Sequence, residues 1–447
     1  MFSRRAKLGY FVIEGLNSFT TVHYFYYFYF FMETVYGFGN RANLALGAAN
    51  GGLYALVVFG AGKFAGRFGY FTALKLGFAV MLASMLAGLA VHSAAGQVAV
   101  MLMTVVGMCF TWPTLEALVS EGETRAGLQQ MVGTYNVVWS AAGAVAYFTG
   151  GAVLEKLGPR SLFLVPVVML SAQLGLTVWL ERRVAKGRAP VTEPTPERGS
   201  LSRSTSEGGG ARSTCDTQSD SEPLRPGPPR SIPAVFEEDV GTAGPGPHFE
   251  GHPHSRARVE SFLRMAWLAN PFAYIALNTL IAVIPGLARR LELSTMLAGF
   301  CCSIWCFARC GAFLSLWLWD GWHYRFRWLL AAYVMLVGSF AAILLVPKLA
   351  VLLLAQLFFG GALGLIYYSS LYYSMDQSET KSEHGGLHEA AIGLGNFAGP
   401  AVGATSLYLL PRHANAGALA VTGVLLLGLG GLAMVWRRGT CAERGEA

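Results

Sequence analysis

Twelve runs of about 20 mostly apolar residues recur along the 447-residue chain. They lie at about 8–32, 44–66, 72–92, 97–120, 130–154 and 160–181, then at 263–286, 295–319, 326–347, 349–374, 385–410 and 413–436. Each is long enough for an α-helix to cross the hydrocarbon core of a bilayer. Short connections join them, as in compact helical bundles. Composition supports the same conclusion. Charged residues make up 13% of the chain, against about 25% in soluble proteins. Of the 33 Lys+Arg and 26 Asp+Glu, 22 fall between Arg182 and Phe262, which leaves the runs themselves nearly uncharged. So few charges do not cover the surface of a soluble protein of this length. The fold class expected is an all-α membrane protein of twelve transmembrane helices. A secreted enzyme, a nucleic-acid-binding protein and a disulfide scaffold fit poorly; the seven Cys show no paired framework. The net charge of +7 reads as Lys and Arg at helix ends, not as a nucleic-acid surface. The basic N-terminus runs straight into the first apolar segment without a small-residue cleavage site, so that segment is expected to be a spanning helix and not a signal peptide.

The interval 182–262 is the exception. It is rich in Pro, Gly, Ser and charge and has too little apolar area to offset the entropy of ordering. It is expected to be a disordered linker between an N-terminal six-helix bundle (1–181) and a C-terminal six-helix bundle with a short tail (263–447). The two bundles look like copies. Asn17-Ser18-Phe19 matches Asn270-Pro271-Phe272, and the same offset of 253 relates Gly107 to Gly360, Gly133 to Gly386 and Gly150 to Gly403. Internal repeats are a recurring transporter plan. With the N-terminus inside, nineteen Lys and Arg near helix ends lie on the inner side, Arg4, Arg5, Lys7, Arg182 and Arg256 among them. Seven lie outside: Arg41, Lys156, Arg160, Arg289, Arg290, Lys348 and Arg412. The positive-inside rule then puts both termini and the linker in the cytoplasm.

Three features resemble the major facilitator superfamily. The first is the two six-helix halves joined by a long linker. The second is the loop between helices 2 and 3, Gly62-Lys63-Phe64-Ala65-Gly66-Arg67-Phe68-Gly69-Tyr70. It is similar to the family's G-x-x-x-D-R-x-G-R-R motif and keeps Gly62, Arg67 and Gly69. The Asp position is Gly66 and the trailing basic pair is Tyr70-Phe71, which weakens any transfer of the loop's charge-relay role. Its counterpart, Asp320 to Arg325, is looser. The third is the Gly-rich helix 11, Leu387 to Pro400, which resembles segments of prokaryotic drug or sugar exporters. The resemblance implies two pseudo-symmetric bundles that rock about a central site, with helices 1, 4, 7 and 10 lining the cavity. Rocking needs helix faces of small residues. Gly47, Gly51, Gly52 and Gly60 to Gly62 in helix 2, Gly143, Gly150 and Gly151 in helix 5, and Gly393, Gly395, Gly399 and Gly403 in helix 11 supply them.

Ionisable residues inside spanning helices are costly and mark function by default. Glu14 and His23 in helix 1, Glu116 in helix 4, Arg309 in helix 8, and His388 and Glu389 in helix 11 are the candidates for proton coupling or gating. A guanidinium keeps its proton, so Arg309 needs a carboxylate or an anion. Glu389 is the first choice of structural partner; a role in substrate or proton coupling and an Arg snorkelling to the inner edge stand beside it. Glu14, Glu116 and Glu389 are placed to take up protons during transport.

Aromatic residues crowd the same helices. Helix 1 carries His23 to Phe31 as an unbroken ring-bearing run, and helix 10 carries Tyr367, Tyr368, Tyr372 and Tyr373. Some belong to an interfacial belt. The expected cavity residues are Tyr26, Tyr27, Trp112, Asn136, Trp139, Asn270, Trp305 and Tyr368, a lining suited to an amphipathic organic solute or a stacked sugar. Cys302, Cys306 and Cys310 recur every four residues on helix 8, beside Cys301, a pattern open to soft-metal transfer but commoner as core packing. No metal site is expected. No phosphate-binding Gly-rich loop and no Ser/His/Asp pattern stands out, so neither ATP hydrolysis nor enzymatic activity is expected, and no cofactor. The function expected is secondary transport of a small organic solute by alternating access, with proton-coupled efflux favoured. The alternatives are sugar or organic-acid uptake, copper import, or a non-transporting membrane sensor or scaffold. The protein is expected to be a monomer in the bacterial inner membrane, with the solute, protons and lipid as its partners and no nucleic acid.

Overall fold

Where the apolar runs lie, the chain is helical, and among the described residues there is no strand. The computed structural model describes residues 4–120, 125–187, 255–377 and 381–445. The helices are α1 (Arg4–Tyr36), α2 (Asn40–Phe68), α3 (Tyr70–Ala90), α4 (Ala94–Ser120), α5 (Arg125–Leu157) and α6 (Ser161–Gly187) in the first half. The second half holds α7 (Arg256–Arg290), α8 (Thr295–Leu318), α9 (Phe326–Leu345), α10 (Leu349–Gln377), α11 (Lys381–Leu409) and α12 (Ala416–Gly445). The twelve expected spans are therefore twelve helices. α6 and α7 run into the expected linker, over residues 182–187 and 256–262. Residues 188–254, which include His248, His252 and His254, lie outside the described residues.

Ten of the twelve are long and apolar enough to cross a membrane by length and composition. The other two are α1 and α11. α1 falls short because it is studded with polar groups, and protein covers them: Asn17, Ser18, Thr20, Thr21 and His23 are all buried. Hydroxyls of Thr20 and Thr21 bond carbonyls one turn back, and Gln173 of α6 donates to the Thr20 hydroxyl at 3.0 Å. Backbone chemistry sets the ends. Gly69, between α2 and α3, has φ +92°, and Gly158, between α5 and α6, has φ +80°, conformations that favour glycine. Ser255 and Ser294 cap α7 and α8 by accepting from Arg258 N and Leu297 N.

α8 is broken at Ser303 into Thr295–Cys302 and Ile304–Leu318. The break frees carbonyls that lipid would leave unpaired. Gln356 of α10 reaches in and donates to the Cys301 carbonyl at 2.8 Å. α10 comes this close because Gly360 faces the Trp305 carbonyl, where a Cβ would collide, and a Cβ on Gly364 would sit 2.6 Å from Ala312.

Two antiparallel seams join the halves. In the first, α2 lies against α11. Leu44 meets Gly403, Gly47 meets Pro400, Gly51 meets the backbone of Asn396, and Ala55 meets Gly393. In the second, α5 lies against α8. Glu155 accepts from the Met296 N–H at 2.8 Å, Gly151 packs on Thr295 and Gly299, and Gly133 packs on Trp317. A Glu33–Arg289 ion pair of 2.5 Å ties the end of α1 to the end of α7. Small residues thus do what the sequence asks of them at Gly47, Gly51, Gly151, Gly393 and Gly403. Gly395 and Gly399 instead admit α7, and Gly143 and Gly150 admit α1. Gly60 and Gly62 have nothing within 4 Å of a built Cβ, so close helix approach does not account for them.

Candidate functional site

The second piece of α8 sets the site. Trp305, Cys306, Arg309, Phe313 and Leu316 recur at helical spacing and are all buried, while Phe307 and Leu314 on the opposite side are exposed. Arg309 therefore points into the protein, 5% exposed. Its guanidinium carbon lies 4.4 Å from the ring centroid of Trp139 on α5 and 4.9 Å from that of Trp305, one turn back on α8. Rings of both halves extend this cage. Tyr26 of α1 stacks at 6.1 Å on Trp305, and Trp139 lies 5.5 Å from Phe313 and 5.7 Å from Tyr367 of α10. Tyr274 of α7 follows at 6.4 Å from Tyr367. The indole N–H of Trp139 is fixed by Asn136, which accepts it at 2.9 Å.

The carboxylates form a second group beside the cage. Glu14 is fully buried and accepts from the Ser18 hydroxyl at 2.9 Å, one helical turn on; Tyr135 of α5 stands next to it. Among the described residues its Oε2 has no hydrogen-bond partner. Glu389 is buried too, and the Tyr54 hydroxyl of α2 donates to it across the first seam. Glu116, half-buried and just past Pro113 in α4, lies within electrostatic reach of both Glu14 and Glu389. The charges of Arg309 and Glu389 both act on Tyr274 and Tyr367. The acids and the arginine thus share one neighbourhood, assembled from α1, α2, α4, α5, α7, α8, α10 and α11.

The structure does not pair Arg309 with Glu389. Among the described residues no carboxylate lies within 4.0 Å of Arg309, and its Nε has no partner. Snorkelling is also ruled out, since the group is buried between two indoles. Glu389 is turned toward α2 because Gly393 lets α11 approach Ala55 at that level.

Of the other expected residues, Trp112 is half-buried and edge-on to Trp139 at 6.0 Å, next to the cage. Tyr27 is not in the cage. It wedges into the α5–α8 seam over Gly150, Gly151 and Gly299 and donates to the Tyr147 carbonyl. His23 stacks with Phe19 at 6.3 Å and faces Gly150, inside the first half and away from the acids. Tyr368 lies 5.8 Å from Trp322 and 6.1 Å from Phe313, so it borders the cage that its neighbour Tyr367 enters. Asn270 and its repeat-mate Asn17 are both fully buried, and neither amide has a partner. The side chain of His388 lies outside the described residues. In the helix 2–3 loop, Gly69 supplies its positive φ, Gly62 is unpacked, and Arg67 rests 5.3 Å over the Phe68 ring. Cys302 and Cys306 are buried near Tyr27 and Tyr147, and among the described residues no three potential ligands converge on a metal position.

Sequence reasoning did not single out Tyr54, Tyr274, Asn278 or Asn396 as site residues; the Asn278 amide donates to Asn396 at 2.5 Å beside the first seam. Tyr367 had a readable signal. It follows Gly360 and Gly364 at helical spacing, and these glycines mark the α10 face turned to α8.

The sequence profile of the Major Facilitator Superfamily matches residues 124–400. No curated protein matches the sequence. Solved structures match along nearly the whole chain. The human organic anion transporter MFSD10 (TETRAN) superimposes with a TM-score of 0.61 at 14% identity, covering 96% of this chain and 99% of its own. The nucleoside transporter NupG gives 0.62 at 11% identity, with 96% and 99% covered. A bacterial homolog of the human lysosomal transporter Spinster, in an inward-facing and unoccupied conformation, gives 0.61 at 12%, with 99% and 98% covered. At such identities the likeness is one of fold.

Proposed function

The chain belongs to the Major Facilitator Superfamily, and from that premise we propose that it carries a small organic solute across the membrane by rocking its two halves about the ring cage, with proton movement coupled to the cycle. Membership makes it a multi-pass membrane protein of a transporter family. The observation that carries the coupling is the Tyr54–Glu389 hydrogen bond. It joins a donor of the first half to a buried carboxylate of the second. A motion that opens the α2–α11 seam breaks it and leaves Glu389 with neither donor nor covering protein. A buried charge without a partner is expensive, so taking up a proton at that point keeps the open state accessible. Glu14 and Glu116 stand in the same field and serve as the next stations. Aromatic residues around the cage suit an amphipathic cargo, which favours efflux. The basic helix ends place the termini and the linker in the cytoplasm, and the protein works as a monomer in the cell membrane.

The test has two stages. Purified protein is screened for thermal stabilisation by small organic compounds at two pH values, and the best hit is then followed as flux into proteoliposomes under an imposed pH gradient. Gradient-driven flux in wild type that loses its pH dependence in Glu389→Gln supports the proposal. Flux indifferent to the gradient would remove proton coupling. Absence of any counterflow would favour the sensor or scaffold alternative.

A further inference from the structure

Arg309 is a buried cation without a counter-ion among the described residues. Two indole faces cover it, at 4.4 and 4.9 Å. Cation–π attraction replaces part of the lost hydration, but it leaves the charge uncompensated and the Nε–H without an acceptor among the described residues. Glu389 is held by Tyr54 and Glu14 by Ser18 through one oxygen, and among the described residues neither they nor Glu116 come within 4.0 Å of Arg309. The second unsatisfied group in the cage is also a donor. Trp305 is fully buried and its indole N–H has no partner, like the Nε–H of Arg309 one turn away. Two buried, unpaired donors on one helix face, one of them charged, call for an acceptor that bears negative charge. The surrounding rings, Tyr26, Trp139, Phe313 and Tyr367, call for a flat apolar body attached to it.

We infer that the cargo is an aromatic carboxylate, its charged end seated on the Arg309 guanidinium and the Trp305 N–H, its ring among Tyr26, Trp139 and Tyr367. This rests on the transport reading above and narrows it. Arg309 and a carboxylate match as planar forks with two parallel N–H···O bonds. Trp139 belongs to the first half and Trp305 to the second, so an anion drawn to Arg309 sits where the halves meet and touches both. A cationic cargo is disfavoured by the same guanidinium. A neutral one can accept from the two donors but leaves the Arg309 charge uncompensated.

The experiment uses the full-length protein and three radiolabelled probes that share one ring system: a naphthalene carboxylate, its carboxamide, and the corresponding naphthylmethylammonium. Equilibrium binding to purified protein should favour the carboxylate over the carboxamide by on the order of 10-fold or more, the scale of a charge-assisted pair. Arg309→Gln should bring the two to equal affinity. Arg309→Lys, which keeps the charge but not the fork, should retain part of the preference and serves as the working variant if Arg309→Gln does not fold. Equal binding of the three probes by wild type, binding of none, or a preference that survives Arg309→Gln overturns the assignment. Counterflow in proteoliposomes separates this from the transport reading. Carboxylate-selective binding without counterflow keeps the anion seat and removes transport. Counterflow of carboxamide as fast as carboxylate keeps transport and removes the anion seat.

Discussion

The two seams that hold the halves together are built alike but carry opposite chemistry. Along α2–α11, glycines bring backbones together and the buried charge is an acid, Glu389, anchored by a donor from across the seam. Along α5–α8, glycines do the same work at Gly151, but the buried charge is a base, Arg309, covered only by rings. Pseudo-symmetry thus repeats the packing and not the electrostatics. The acid has a donor from across its seam, and among the described residues the arginine has only rings.

The largest effect on flux should come from closing the first seam with a side chain. Gly51→Val puts carbon against the Asn396 backbone, which cannot swing away as a flexible side chain would. Overpacking of this kind costs about 1–3 kcal/mol or more, and we expect loss of flux with a clear fall in melting temperature. Gly151→Val tests the other seam in the same assay. If only one of the two is damaging, the seams are not equivalent in packing either.

Next comes the cover over the base. Trp139→Ala removes one of the two indole faces on Arg309, and Phe at that position restores a ring without the N–H held by Asn136. The alanine variant should lose stability by about 3–5 kcal/mol, as for other large aromatic truncations, and the phenylalanine variant much less. Thermal unfolding of detergent-solubilised protein measures both. An alanine variant as stable as wild type would show that the indole does not shield the charge.

A smaller effect is expected at the acid. Tyr54→Phe leaves Glu389 without its donor at a cost of about 1–3 kcal/mol, and it should shift the pH dependence of flux while Trp139→Phe does not. Equal shifts in both would erase the contrast between the seams. The smallest effect should be at the far end of α1. Arg289 is 68% exposed in its pair with Glu33, whose side chain is 11% exposed, and solvent screening on the arginine side holds such a pair to about 1 kcal/mol. Arg289→Ala should leave the melting temperature nearly unchanged.

Much of this was legible in the sequence. Twelve spans, two halves and the glycine-lined faces of α2 and α11 follow from run lengths, the polar interval after Arg182 and small-residue spacing. Glu14, Glu116, Arg309 and Glu389 could be picked out because ionisable groups are rare in apolar helices. Their partners could not. Arg309 pairs with rings where Glu389 was the first choice, Tyr27 lies outside the cage that Tyr26 and Tyr367 enter, and Tyr368 borders it on Phe313. In a run where every residue from His23 to Phe31 bears a ring, periodicity selects no face, and a rotation of about 100° per residue separates neighbours completely.

What the sequence by itself determined is a property of each segment taken alone: whether it enters the bilayer, how long it is, and which of its residues are costly there. Transfer from water to hydrocarbon is close to additive along the chain, so composition reports it. Only the tertiary structure decided which side chains meet. That depends on how each helix is turned and how near its neighbour lies, and both are set by a few glycines on other helices, far away in the sequence.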